Sequence, residues 1–155
     1  MTKSIDELNQ ILDLSKITTY QAGVAQSTVH RLLQKHTNDC LRPYSLSTMQ
    51  WFIIGTIYDT GAAGIRLTDL AKKVDTTLSF LTTAINQLES RGILQRAGSA
   101  SDSRAKFVSV TEEFERIIPT IEEDLRNKMR KSFYAKVSPE DLRIYMKVLY
   151  QFSDL

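Results

Sequence analysis

Apolar residues recur along most of this chain at three- and four-residue steps, the spacing of one helix face. Ser4-Ile5-Asp6-Glu7 has the S-x-x-E form of a capping box and predicts a helix start. Ile17, Tyr20, Val24, Thr28 and Leu32 keep helical spacing to about Gln34, and Arg42-Pro43-Tyr44 breaks it, because the residue before a proline disfavours helix. Ser47-Thr48-Met49-Gln50 is a second capping box, opening a helix that runs to about Asp59. Trp51, Phe52, Ile53, Ile54, Ile57 and Tyr58 make that helix apolar on more than one face, which predicts a helix wedged between neighbours.

The middle of the chain changes rhythm. Gly61-Ala62-Ala63-Gly64 predicts a turn and Ile65-Arg66-Leu67 a short strand. Thr68 is the expected N-cap of a short helix over residues 69–74. Asp75-Thr76-Thr77 separates it from a second helix, in which Leu78, Leu81, Ile85 and Leu88 form one stripe. Two helices joined this tightly predict a helix-turn-helix. Gly92 then stops the second helix, and Ile93-Leu94 leads into a strand. Gly98, Ser99, Ala100 and Ser101 make a slim tip, and Asp102-Ser103-Arg104-Ala105-Lys106-Phe107-Val108-Ser109-Val110-Thr111 returns as a second strand. A helix-turn-helix followed by such a hairpin is a winged helix-turn-helix.

The last third is helical again. Phe114, Ile118, Ile121, Leu125, Met129 and Phe133 predict one helix, acidic at its start (Glu112, Glu113, Glu115) and basic at its end (Lys128, Arg130, Lys131), as the helix dipole favours. Pro119 is expected to kink this helix rather than break it, since the stripe continues unshifted. Ser138-Pro139-Glu140-Asp141 opens a final helix with Leu142, Tyr145, Leu149 and Phe152 on one face. These stripes exceed what one small winged helix covers, so residues 118–133 and 142–152 are expected to pack against a second copy.

Composition narrows the class. At 155 residues the chain is most simply one domain, residues 1–155, with an ordinary 42% hydrophobic content. It has no apolar run long enough for a membrane span, its first residues lack the apolar core of a signal peptide, and a single cysteine excludes an intrachain disulfide framework. A cytoplasmic location is expected. The net charge of +2 is small, but residues 65–110 hold seven basic and four acidic residues, a local +3. The positive field sits on the predicted reader, where it attracts phosphate.

A helix that enters the major groove is held by its apolar face and shows polar groups on the other. That outer face is expected to carry Thr76, Thr77, Ser79, Phe80, Thr83, Asn86 and Gln87. Hydroxyls meet phosphates or bases, Phe80 and the Thr methyls meet thymine methyls, and Asn86 or Gln87 can pair with adenine. In the wing, Arg104 suits a narrow minor groove and Asp102 can hold its guanidinium.

From about Tyr44 onward the chain resembles regulators of the multiple-antibiotic-resistance (MarR) type. The matching segments are Leu46-Ser47-Thr48-Met49-Gln50-Trp51, Leu67-Thr68-Asp69-Leu70-Ala71, Leu88-Glu89-Ser90-Arg91-Gly92-Ile93-Leu94 and the wing from Asp102-Ser103-Arg104 to Val110-Thr111. The resemblance implies a mostly α fold with a small β-wing: a winged helix-turn-helix over residues 46–111, flanked by helical dimerisation regions over 1–42 and 112–155. It implies a homodimeric transcription factor, with two readers about one DNA turn (roughly 34 Å) apart on a pseudo-palindromic operator. The family's reading helix usually carries a basic residue. None lies between Asp75 and Arg91 here, which shifts the load to Lys72, Lys73, Arg104 and Lys106. Phe114 replaces the Gly that commonly follows the start of the next helix and is read as part of the apolar stripe.

Members of the family commonly sense small amphipathic or aromatic molecules between the dimer helices and the reader. Trp51, Phe52 and Tyr58, with Tyr20, His30 and Arg31 opposite, are the candidate effector residues, with core packing as the competing reading. Cys40 lies at the end of its helix, away from where peroxide-sensing members place a cysteine, and reads as an ordinary thiol; His36 and Cys40 alone are too few ligands for a structural zinc site. No cofactor or metal is expected. An enzyme is the least favoured class, since no phosphate loop, nucleophile–base pair or acidic metal cluster is recognisable. The sequence points to a DNA-binding repressor modulated by an effector; the alternative is a winged-helix interaction module with weak or lost DNA binding.

Overall fold

The computed structural model describes residues 13, 16–99 and 102–153. The expected capping box at Ser4 lies outside the described residues, as does the tip at Ala100 and Ser101. The chain divides into two units, residues 1–35 and 36–155, each described by itself. Helix α1 (Thr19–Leu41) runs on past Gln34, where sequence periodicity faded, to the residue before the Arg42–Tyr44 3-10 turn. Its last turns are kept helical by tertiary burial of Thr37, Cys40 and Leu41.

In the unit of residues 36–155 the core is built around α2 (Thr48–Tyr58). Its capping box forms as expected: the Ser47 hydroxyl accepts from the Gln50 N–H, and the Gln50 side chain accepts from the Ser47 N–H. Ile53, Ile54 and Ile57 are fully buried, Trp51 is buried, and the helix packs against the helix Leu67–Lys73 and the strand Asp102–Val110. This is the wedge that its apolar residues predict.

Short strand β1 (Ile65–Arg66) precedes α3 (Leu67–Lys73), which leads into α4 (Leu78–Ser90). The expected N-cap at Thr68 is incorrect. Arg66 is the N-cap residue, without a side-chain cap bond, because β1 pairing holds the backbone extended right up to the helix. Strands β2 (Leu94–Ser99) and β3 (Asp102–Val110) form the hairpin of the wing, and β1 adds to β3 to give an antiparallel sheet of order β1-β3-β2. Val108 and Val110 turn inward in period two.

Three helix ends share one device. The chain turns through a left-handed residue at Ser45 (φ 53°), Asp75 (φ 48°) and Gly92 (φ 69°). At each, the next residue's N–H reaches back to a carbonyl five positions earlier: Leu46 to Leu41, Thr76 to Ala71, Ile93 to Leu88. This pairing satisfies carbonyls that the helix end leaves open.

The expected kink at Pro119 is a full break. Helix α5 (Glu112–Glu115) ends, Arg116 and Ile117 turn, and α6 (Ile118–Lys131) begins with Pro119 in its first turn. Proline has no N–H to give the Glu115 carbonyl and its ring collides with that oxygen, whereas a first-turn position needs neither. Phe133, expected on the same helix, lies in the turn beyond it, against His36 and Tyr134. Nor is the stripe of α6 left for a second copy: Ile118, Ile121, Leu125 and Met129 are buried within the chain. Among the described residues, exposed apolar side chains include Ile144, Val148, Leu149, Tyr150 and Phe152 on the last helix, α7 (Pro139–Ser153), and Tyr20, Val24 and Leu32 on α1.

A polar tie links α6 to the turn after α1. The Tyr44 hydroxyl donates to Asp124 Oδ2 (2.8 Å), and Lys128 Nζ donates to the same oxygen (2.7 Å). The lysine bond first, then the tyrosine bond, hold the Asp124 carboxyl below the usual carboxylate range; the Tyr44 hydroxyl is held above its own.

Gly64 occupies backbone only glycine adopts readily (φ 65°, ψ −173°), and a Cβ there would sit 2.7 Å from the Val108 carbonyl oxygen. Gly64→Ala is expected to destabilise the fold by about 1–3 kcal/mol from the backbone alone, read as a lower midpoint in urea unfolding. Asp124 has a lowered value in the folded state, so its contribution is complete above the ordinary carboxylate range and disappears as pH falls through the folded value. Tyr44→Phe removes one of the two lowering bonds. The Asp124 carboxyl should then titrate at a higher pH in a carboxyl NMR titration, and the acid loss of stability should begin at a higher pH.

Candidate nucleic-acid interface

Helix α4 presents two chemically different sides. Leu81, Ala84, Ile85 and Leu88 are buried, with Leu81, Ile85 and Leu88 fully so. Leu78, expected at the head of this stripe, is instead 48% exposed. It is the first residue of the helix, beyond the reach of the packed core, and the stripe closes through Ala84. Thr77, Ser79, Phe80, Thr83, Asn86 and Gln87 are exposed and Thr76 is half-buried. Ser79, Phe80, Thr83, Asn86 and Gln87 therefore share one side of α4, with Thr76 and Thr77 just before its start; Leu78 is exposed although in phase with Ile85.

The hydroxyls of this face are partly engaged. Thr77 is the N-cap, its oxygen accepting from the Phe80 N–H. Thr83 Oγ1 donates to the Ser79 carbonyl (3.2 Å) and Thr82 Oγ1 to Leu78 (2.7 Å). Their hydrogens point back along the helix, which leaves lone pairs and methyl groups outward. Gln87 Oε1 accepts a long bond from Gln50 Nε2 (3.5 Å).

The cations divide into two kinds. Lys72 and Lys73, in the last turn of α3, are exposed. Arg91 is not free to contribute to an open field: its two terminal nitrogens donate to the carbonyls of Ser45 (2.9 Å) and Tyr44 (3.2 Å), clamping the end of α4 to the turn before α2. Arg96, on β2, pairs with Glu89 (3.3 Å) and donates to Asn86 Oδ1 (2.7 Å). Arg66, which the sequence did not single out, stands exposed on β1 with its guanidinium 5.4 Å from the Phe107 ring centre. Only the sheet could reveal that pairing, since Arg66 and Phe107 are adjacent through the β1–β3 register. The backbones of Asp102, Arg104 and Lys106 lie in β3, with Gly98 opposite Lys106 and Ser99 opposite Asp102. Their side chains lie outside the described residues.

The candidate effector residues are not all brought together. Trp51 and Phe52 line a groove of about 860 Å³ with Gly55, Thr56, Lys72, Lys73 and Tyr150 among its walls. Tyr58 faces a different hollow of about 210 Å³, beside Gln95, Ser109 and Glu112. Seven residues after Trp51, it stands about 20° short of two full turns round the helix, so what separates the two is the shift of about 10 Å along the axis. Tyr20, His30 and Arg31 are exposed on α1 within the unit of residues 1–35. Cys40 is buried, and burial pushes its thiol above its ordinary value despite the Lys128 charge, which fits an unreactive thiol. His36, four residues before it, is spent on the Phe133 ring at 5.7 Å.

Two substitutions on α4 should separate its faces. Leu81→Ala is expected to cost about 2–5 kcal/mol of folding stability, whereas Phe80→Ala should stay within about 0.5 kcal/mol. Chemical denaturation of both variants checks this, and equal losses would mean that the packed face has been misassigned.

The MarR family model matches residues 46–106. Among solved structures, a MarR-family transcriptional regulator from Rhodococcus sp. RHA1 superposes with a TM-score of 0.79 at 17% identity, covering 89% of this chain and 96% of that one. Sco3205 from Streptomyces coelicolor, a MarR-family regulator in complex with DNA, gives 0.75 at 21% identity over 89% and 88% of the two chains. CouR from Rhodococcus jostii RHA1, bound to p-coumaroyl-CoA, gives 0.74 at 19% over 89% and 95%. At these identities the superpositions speak for the shared fold, and the matched segment spans α3, α4 and most of the wing described above. The chain thus carries a MarR-family match over residues 46–106 and shares the winged helix-turn-helix fold of MarR-family regulators.

Proposed function

We propose that this regulator is a homodimeric repressor that binds a pseudo-palindromic operator in double-stranded DNA and releases it when a small amphipathic molecule binds. The observation that carries the reading is the two-sided α4: one face fully buried, the other a row of hydroxyl, amide and aromatic groups open to solvent, followed directly by the hairpin. In this reading Thr76, Thr77, Ser79, Phe80, Thr83 and Gln87 face the major groove, Lys72 and Lys73 meet phosphate, and Arg104, backed by Asp102 and Lys106, enters the minor groove. The exposed apolar residues of α7 and α1 supply the surface for a second copy, so that regions 1–42 and 112–155 act as the dimerisation part.

The groove beside Trp51 and Phe52 is the effector site in this reading. Its volume suits a small ligand; Lys72 and Lys73 line it together with Asp59 and Asp75, so its charges balance, and Trp51 and Phe52 favour an aromatic body with polar substituents. The Rhodococcus jostii relative bound to p-coumaroyl-CoA is consistent with that chemistry. Because both lysines sit on α3, a ligand that holds them shifts the population away from the DNA-competent arrangement, provided that it binds the two arrangements unequally. Leu78 and Phe80, each about half exposed at the head of α4, favour the second reading, a protein-interaction module with weak DNA binding.

A salt-titrated binding assay on mixed genomic fragments decides between them. A regulator selects a symmetric site, binds it with two chains, and loses affinity steeply with salt. Arg104→Ala should weaken binding by about 1–3 kcal/mol per protomer, and Lys72→Ala should lower the salt slope by about one. Weak binding to every fragment alike, with no symmetric site recovered, would favour the interaction module.

A further inference from the structure

Arg96 and Asn86 form a contact whose chemistry has a consequence for base selection. Arg96 Nη2 donates to Asn86 Oδ1 at 2.7 Å, and Nη1 stands 3.3 Å from Glu89 Oε2, so the guanidinium spans two residues one turn apart on α4. Its side chain is half-buried, and Nε is enclosed without a partner among the described residues, so the guanidinium is held at its outer nitrogens. Arginine has donors only, so the Asn86 atom facing it is the carbonyl oxygen and not the NH2. The amide is therefore turned with Nδ2 away from the wing. Asn86 itself is exposed, one turn beyond Thr83 and two beyond Ser79 on the same face.

An asparagine reads adenine with both ends of its amide: Oδ1 accepts from N6–H while Nδ2 donates to N7. With Oδ1 turned to the wing and one of its two lone pairs taken by Arg96, that two-ended contact is disfavoured, while both N–H donors of Nδ2 remain. Guanine offers two acceptors in the major groove, O6 and N7, and no donor. We infer that Asn86 is a donor-only reader selecting guanine at one position of each half-site, and that Arg96 is the positioning residue that makes it so. The inference rests on the regulator reading above. It also gives the uncharged reading helix a route to a base that an arginine usually reads.

Selection from a duplex library randomised across the half-site, using the full chain, tests this. Wild type should enrich guanine over adenine at one position by on the order of 5- to 100-fold. Asn86→Ala should abolish that preference and leave the rest of the site intact. Asn86→Asp keeps the pairing with Arg96 but turns an acceptor outward, so the preference should move to a base with an exocyclic amine, cytosine or adenine. Arg96→Met should admit adenine at the same position, and Arg96→Lys, which still donates to Oδ1, should restore guanine. A position that ignores both Asn86 variants, or a wild-type preference for adenine there, overturns the inference while leaving the regulator reading in place. Failure of wild type to select any symmetric site overturns the regulator reading itself, and this inference with it. If Arg96→Met does not fold, as circular dichroism would reveal, the Asn86 variants still decide.

Discussion

The whole arrangement depends on how firmly α4 is gripped from one side. Leu81, Ile85 and Leu88 are fully buried, and α4 is amphipathic enough that this grip sets its rotation about its own axis. Rotation by a single residue, about 100°, would bring a different set of side chains to the surface. The wing, the turn before α2 and the cap at Thr77 reinforce an orientation that burial has already set.

Electrostatics works differently here from a simple positive patch. The local excess of basic residues over 65–110 was legible from the sequence, but several of those charges are tied into the architecture. Arg91 holds two backbone carbonyls, Arg96 holds Glu89 and Asn86, and Arg66 lies over an aromatic ring. Guanidinium groups suit this work because a rigid fork of donors can span two acceptors at once. The lysines at 72 and 73 remain exposed, on the rim of the groove lined by Trp51 and Phe52. The same two residues thereby belong both to the wall of the groove and to the last turn of α3.

Helix ends divide into those that the sequence announces and those that it conceals. Ser47 and Gln50, Gly92, and the break at Arg42-Pro43 were all visible, because capping boxes, glycine and proline carry their geometry in their own covalent structure. Ser45 and Asp75 were not. Each adopts the left-handed conformation that closes a helix, yet neither residue type signals it strongly. Pro119 shows that a visible signal can still be misread. An unbroken apolar stripe argued for one kinked helix, but Pro119 has no N–H to give the Glu115 carbonyl, and the chain split into α5 and α6.

Periodicity, turn chemistry and the order of the motifs determined the winged helix-turn-helix and the outer face of its second helix, because those depend on local geometry repeated every few residues. Only the tertiary structure decided that the stripe of α6 is buried at home, that Trp51 and Phe52 share a groove while Tyr58 lines a different hollow, and that Arg96 reaches Asn86. Those outcomes join residues distant in sequence or on different elements. The free energy that settles them comes from burial and hydrogen bonding between elements, which no local pattern encodes.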